Sequence, residues 1–261
     1  INEEKNPVSI SYWVYPEHDR YDALRSFGDT PEMLTVFNDY TGFSYPYEKY
    51  DQIIVEDFMW GGMENITLSH MADRTMHPES AVPNHSSEGL VAHELAHQWY
   101  GDLITTRNWA NIWLNEGITS FMELVWMEHK YGYDEKEYYR LREVRSARYA
   151  SYKNKPMVFF NYEDSNDLFD GNVYAKGAVV MDLLRNILGE QPFQKGLQYY
   201  TKENAYKNVE SYDLKKALEE TTGKNLYWFF DQWVYTQGLP KLKVSHQFSR
   251  KRSGTTITVE Q

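Results

Sequence analysis

The pattern His93-Glu94-Leu95-Ala96-His97, followed by Glu116 in Trp113-Leu114-Asn115-Glu116-Gly117, restricts the fold more than any other stretch of the chain. Histidines four apart on a helix project from one face, one turn above the other, so both imidazoles can reach one small cation. Glu94 stands beside them without having to be a ligand. Eighteen residues separate His97 from Glu116, enough for a turn and a second helix that returns to offer a carboxylate. Two His and one Glu form a three-ligand zinc site with a free fourth position, the catalytic form rather than the closed structural one. The short His-Glu-x-x-His pattern also arises by chance on amphipathic helices. Glu116, in a helix-forming segment, is what gives the metal reading its weight.

Glu94 faces the free position in this reading. There it takes a proton from water that the metal acidifies to a pKa of about 7, and later passes it to a leaving amine. That is the chemistry of peptide-bond hydrolysis; the alternative is a solvated helix carboxylate. Metal-bound imidazoles donate their other N–H to a carboxylate or carbonyl. Glu123, two helical turns beyond Glu116, and Asp102, five residues beyond His97, are the candidates, each also readable as an ordinary surface or capping acid.

Gly61-Gly62-Met63-Glu64-Asn65 is a second constellation. Two glycines permit close backbone approach, so a peptide can pair along this strand by edge addition, although a simple bulge or turn gives the same pattern. Glu64 on such a strand reaches a cleft, where a carboxylate near the metal attracts the protonated α-amine of a substrate. Tyr174, in Asn172-Val173-Tyr174-Ala175-Lys176-Gly177, opens a helix. A phenol is neutral at pH 7 and can donate to a developing oxyanion. With 22 tyrosines in the chain, composition alone does not select it.

The rest of the chain bounds the answer. Its 261 residues can bury a substantial core as one large domain or two smaller ones. The balance of 27 basic to 38 acidic residues, a net charge of −11, has no Lys or Arg block and argues against nucleic acid or an anionic membrane surface as partner. Absence of cysteine excludes disulfides and thiolate metal sites and leaves the compartment undecided between cytoplasmic and extracytoplasmic. No apolar run is long enough for a membrane segment, and Ile1-Asn2-Glu3-Glu4-Lys5 lacks signal-peptide character. The absence of an initial Met is expected of a processed or excised piece of something longer.

Residues 8–15 read as a strand, taken to end an N-terminal β domain spanning 1–18. A helical pattern covers 19–41, with a restart at Thr30-Pro31. Residues 44–50 are loop-like, 52–55 form a strand, a second strand runs from Met63 to Leu68, and 73–86, with Pro78, Pro83 and Asn84, is a loop. Helices follow near 87–100, 116–131, 134–152, 172–188, 192–203, 211–222 and 225–236. After Gly238-Leu239-Pro240, alternation over 241–245 and 255–259 predicts the first strands of a following β domain, 240–261. The expectation is an α+β chain: a small strand-containing lobe, then a mainly helical lobe, together 19–239, between truncated β domains.

Taken together, Gly61–Asn65, His93-Glu94-Leu95-Ala96-His97-Gln98-Trp99-Tyr100-Gly101-Asp102, Trp113–Gly117 and Tyr174–Gly177 resemble the gluzincin aminopeptidases, the family of aminopeptidase N and of a leukotriene hydrolase that shares its fold. The resemblance covers about residues 20–239. It implies a thermolysin-like metallopeptidase domain with one zinc ion in a cleft between a mixed-sheet lobe and a helical lobe. It further implies that His93, His97 and Glu116 bind zinc, Glu94 is the general base, Glu64 holds the substrate amine and Tyr174 stabilises the tetrahedral intermediate. Gly61, Gly62, Met63 and Asn65 would form the substrate strand. The implied activity is zinc-dependent release of N-terminal residues from peptides with a free N-terminus, alongside further domains of one full-length protein.

Two positions depart from the family pattern: Gly62, where Ala is more usual, and Asp102, where Asn is frequent. Gly62 also occurs in the leukotriene hydrolase branch and raises epoxide hydrolysis as an alternative. That activity leans on an acid eight residues before the tyrosine, and this chain has Asn166 there, with Asp164 and Asp167 nearby. The family takes part of its amine site from the preceding β domain. Trp60 is placed to narrow the pocket for the first substrate residue, or is an ordinary aromatic at a strand edge. The expected preference is broad and neutral. A binding-only descendant of the fold would show damage at the ligands or Glu94, and all are intact.

Overall fold

The computed structural model describes residues 7–82, 84–153, 155–250 and 253–261; the opening residues 1–6, and Pro83 in the loop before the metal helix, lie outside them. Strand β1 (Ser9–Trp13) leads into α1 (Arg20–Phe27) and α2 (Thr30–Thr41). Asp19 caps α1 by accepting from the backbone N–H groups of Tyr21 and Asp22, while the Asp22 carboxylate reaches back to the Asp19 N–H. Pro31 occupies the first turn of α2, where its missing N–H costs nothing.

Strands β2 (Lys49–Val55), β3 (Gly62–Met63) and β4 (Leu68–Ala72) complete a four-stranded sheet in the order β1-β2-β4-β3. β1, β2 and β4 are parallel, and β3 runs antiparallel to β4 with Gly62 opposite Met71 and Met63 opposite His70. Two expectations change here. β1, read as the end of a preceding domain, is bonded to β2 from Ser9↔Lys49 to Trp13↔Ile53, so it belongs to the sheet that carries β3. The strand expected over 63–68 is two strands. Thr67 takes a left-handed conformation (φ 66°), and the Leu68 N–H donates to the Asn65 carbonyl at 2.9 Å. This turn reverses the chain and leaves β3 at the sheet's edge, with one neighbour among the described residues.

Helices dominate from there: α3 (Glu88–Ala96), α4 (Trp113–Tyr131), α5 (Tyr133–Ala150), α6 (Ala175–Leu188), α7 (Glu190–Asn204) and α8 (Ser211–Thr222). Short strands β5 (Ile104–Thr106) and β6 (Lys207–Val209) pair in parallel. The single helix expected at 225–236 is a short α9 (Tyr227–Phe230) followed by π-helical winding over Asp231–Tyr235. An exposed antiparallel hairpin, β7 (Lys243–Ser249) and β8 (Gly254–Glu260), ends the chain. The molecule is thus α+β, with its small sheets outweighed by helices. Among the described residues no helix is long and apolar enough to cross a membrane.

α4 is the central element. Every residue from Trp113 to Met127 except Glu123 is buried, so this stretch is covered on all sides, its polar residues Asn115, Glu116, Thr119 and Ser120 included. It packs against α3, α5 and α6, and Phe121, Trp126 and Phe193 fill the core around it. Where α4 crosses α6 the contact is backbone to backbone. A Cβ added to Gly177 would stand 2.6 Å from Gly117 Cα, and one added to Gly117 only 2.8 Å from Gly177 Cα. This crossing lies one residue beyond Glu116 and three beyond Tyr174, so it fixes how those two side chains face each other. Gly117→Ala should therefore overpack the crossing and cost about 1–3 kcal/mol of stability, read as a lowered midpoint in a urea titration. An unshifted midpoint would mean the helices part freely there.

Candidate active site

α3 buries Val91, Ala92, Leu95 and Ala96 in the core and holds His93 and Glu94 within its last turns. The helix ends at Ala96, earlier than expected, but the capping residue His97 keeps helical dihedrals (φ −57°, ψ −27°). The four-residue relation therefore survives, with the two imidazole centroids 4.7 Å apart. Glu116 enters from the first turn of α4, where the positive end of the helix dipole favours a carboxylate.

The three donors converge. His93 Nε2 and His97 Nε2 are 3.1 Å apart, and Glu116 Oε2 lies 3.2 Å from the first and 3.3 Å from the second. Ligands about 2.0–2.1 Å from a tetrahedral zinc ion stand roughly 3.3–3.4 Å from one another, so the triangle fits. The other ring nitrogens agree. His97 Nδ1 is 2.9 Å from the Tyr100 carbonyl oxygen, which can only accept, so the proton sits on Nδ1. His93 Nδ1 faces the Glu123 carboxylate at 2.8 Å. Both Nε2 atoms therefore point at a shared centre that calls for a cation, a role open to a metal ion once the rings are neutral and their Nε2 lone pairs free. Of the two expected acceptors, Glu123 is in place and Asp102 is not. The chain curls after His97 so that the Tyr100 carbonyl reaches the ring, and Asp102 instead accepts from Gln98 Nε2 at 2.8 Å.

Electrostatics point the same way. Burial works to raise the Glu116 carboxyl, but the flanking histidines outweigh it and bring it down to about 2. Burial likewise opposes charge on His97, yet Glu64 and Glu116 lift it to about 9. His93 rises well above its ordinary value against its own burial, through Glu116 and Glu123. Glu94 is driven by burial up to about 7, with the histidines opposing. One of its oxygens, Oε2, is buried without a hydrogen-bond partner among the described residues. An unpaired buried acceptor of this kind is costly unless something comes to donate to it.

The site opens into a cavity of about 840 Å³ whose wall includes Gly61, Gly62, Met63, Glu64, Glu94 and Tyr174. Glu64 Oε1 is 3.7 Å from His97 Nδ1. The Tyr174 ring stacks on His93 at 5.9 Å between centroids, and burial, then the charges of Glu116, Glu64 and Glu94, hold its phenol protonated. A Cβ at Gly62 would fall 2.3 Å from Glu94 Oε1, so the bare backbone of β3 is what makes room for that carboxylate. Asn65 stands apart from the wall, in the turn, with Nδ2 3.3 Å from His70 Nδ1. Trp60 sits half-exposed at the rim, its carbonyl accepting from Arg74. Asn166 is on the wall, while Asp164 accepts from the Asn166 backbone and side chain.

Sequence reasoning missed two participants. Tyr139, from α5, donates to Glu123 and so orients His93 at one remove. Gln98, quoted with the metal motif but given no role, is buried at the junction of three segments. Nothing local marks Tyr139, since its partner is 16 residues away.

Comparison with known proteins identifies the family. The Peptidase family M1 domain matches residues 25–233. The chain belongs to peptidase family M1. Aminopeptidase N of Streptomyces lividans is 31% identical over 255 residues, covering 92% of this chain and 29% of that protein. Glutamyl aminopeptidase of Sus scrofa is 30% identical over 258 residues, covering 93% of this chain and 27% of that protein. The M1 chain thus spans less than a third of the length of these curated relatives. Yeast LTA4 hydrolase, solved with bestatin, superposes with a TM-score of 0.78 over 88% of this chain and 38% of that one, at 23% identity, which bears on the fold.

The His93–Glu123 contact yields a test. Glu123→Ala removes the acceptor that orients His93, and should weaken zinc binding by about 10–100-fold in competition with a chelator. Unchanged affinity would mean that the ring is held by packing alone.

Proposed function

We propose that the protein is a zinc-dependent aminopeptidase that removes residues from the free N-terminus of peptides, with His93, His97 and Glu116 as the metal ligands. One observation carries the reading: the Glu64 carboxylate lies 3.7 Å from the ring of His97, beside the three-donor triangle yet outside it. A carboxylate there attracts an ammonium group close to the reacting bond and turns a peptidase into an exopeptidase. The M1 relatives named aminopeptidases support the same class. The proposed architecture is a thermolysin-like catalytic unit over 19–239, with 1–18 and 240–261 belonging to neighbouring β domains apart from the β1 pairing described above.

A zinc ion in this triangle supplies Lewis-acid activation of water and of the scissile carbonyl. The remaining steps fall to side chains. The substrate backbone lies along the free edge of β3, where Gly61 and Gly62 let it come close and Met63 continues the strand. Asn65, in the adjoining turn, is assigned to the same substrate segment, with its side-chain amide beside His70. Glu64 takes the α-ammonium. Glu94, raised to about 7 by burial, accepts the proton of the attacking water and gives it to the departing amine, both transfers lying within the range of a carboxyl tuned toward neutrality. Tyr174, held neutral, donates from its hydroxyl to the oxygen of the tetrahedral intermediate. Asn166 in place of a carboxylic acid disfavours epoxide hydrolysis, and the intact Glu94 disfavours a role in binding alone.

Zinc-loaded protein should cleave a Leu-initiated peptide and leave its N-acetylated twin untouched; equal cleavage of both would remove the exopeptidase assignment while keeping the metal chemistry. Glu94→Gln should lower kcat by about 10²–10⁴ while zinc stoichiometry holds. Glu64→Gln should act on KM, by roughly 10–100-fold, as loss of one charged hydrogen bond requires. A Glu94→Gln variant with ordinary turnover would place the proton transfer elsewhere.

A further inference from the structure

The amine anchor is borne on a turn rather than on a helix, and something must hold that turn against the metal site. Glu64, Asn65, Ile66 and Thr67 link β3 to β4, with Thr67 in the left-handed region at φ 66°. A β-branched residue resists that conformation, so neighbours must over-determine it. The neighbour is Gln98, which follows the ligand His97 and is completely buried. Its Oε1 accepts from the Thr67 backbone N–H at 2.9 Å and lies 3.2 Å from the Tyr45 hydroxyl, whose single proton also faces the Lys49 carbonyl at 2.9 Å. Its Nε2 donates to the Glu64 carbonyl at 3.1 Å and to Asp102 Oδ2 at 2.8 Å. Both N–H groups are used and the oxygen takes the Thr67 N–H, so the amide has one orientation.

We propose that Gln98 is the positioning residue for amine recognition: it ties both ends of the Glu64–Thr67 turn to the end of the metal helix and thereby sets where the Glu64 carboxylate stands relative to His97. The inference rests on Glu64 as the amine anchor. Gln98 touches neither the ligand triangle nor the reacting atoms in this arrangement. It acts through the backbone of Glu64, fixing the carbonyl so that the side chain projects toward His97. Asp102 completes the clamp as an acceptor, a duty that asparagine performs equally well through its own carbonyl oxygen.

The test measures binding by calorimetry, with L-leucinamide and N-acetyl-L-leucinamide as probes of the zinc-loaded protein, together with zinc content. The parent protein should bind L-leucinamide and discriminate against the acetylated probe. Gln98→Met should weaken L-leucinamide binding by roughly 10–100-fold, abolish the discrimination, and retain one zinc per chain. Asp102→Asn should keep both. Gln98→Glu preserves the acceptor side and loses the donor side, and gives the readout should the Met variant fail to fold; it too should lose discrimination. A Gln98 variant that holds zinc and still prefers the free amine as the parent does overturns the proposal. Loss of zinc in step with loss of probe binding in both Gln98 variants also overturns it, since that marks support of the metal helix alone. A parent protein that fails to distinguish the two probes instead removes the amine-anchor reading of Glu64, a different failure.

Discussion

Four carboxylates, Glu64, Glu94, Glu116 and Glu123, surround two imidazoles where α3 meets α4, and most of these groups are buried. Taking such a set out of water is costly for each ion, and mutual attraction offsets it only where the geometry is close and every remaining valence is met. The rest of the structure answers to that requirement. The glycine-to-glycine crossing of α4 and α6 brings Glu116 and Tyr174 to the same centre. Tyr139 and the Tyr100 carbonyl take up the outward valences of Glu123 and His97. What faces inward is the close triangle of three donor atoms and one Glu94 oxygen that has no partner among the described residues. A site designed only for stability would not leave that oxygen unpaired in its interior.

Much of this was legible in the chain because helical spacing converts sequence separation into geometry. His93 and His97 had to share a face, and Glu123 had to lie two turns above Glu116; both relations depend only on the helix repeat. The failures share a cause as well. Asp102 lies beyond the end of α3, where no repeat applies, and the curl that presents the Tyr100 carbonyl depends on how residues 97–104 pack against β5. The strand expected at 63–68 breaks at Thr67 through a conformation its residue type disfavours, so the local preference pointed the wrong way. β1 was assigned outward because a strand near the start of a chain has no visible partner; its partner, β2, lies about 40 residues on and is parallel, a pairing that no hairpin signal announces.

The two halves of the site therefore rest on different physics. The proposed metal ligands come from α3 and the first turn of α4, elements whose dihedrals and burial fix side chains within narrow limits. The proposed substrate side comes from a two-residue edge strand and a turn. Position 62 shows how the halves are joined. The Glu94 carboxylate lies against the backbone of β3, so a methyl group there would press on it. A residue chosen to suit the strand is thus also a determinant of the acid–base group on the helix. An alanine at this position would require a displaced glutamate or a displaced strand.

In the function proposed above, peptidase and exopeptidase differ by one carboxylate and by how firmly it is held. The metal triangle and Glu94 contain nothing that refers to a substrate's terminus. Only Glu64 does, and its value depends on distance: the attraction between an ammonium and a carboxylate falls with separation and with exposure to water. A turn that moved by an ångström or two would keep its charge and lose its selectivity, because the ammonium would no longer fix the scissile bond over Glu94. Rigidity at residues 64–67 is consequently a condition of specificity rather than of folding. In the proposed arrangement Gln98 supplies it from the other element, next in sequence to the proposed ligand His97, so that the metal site and the amine site would share a single frame of reference.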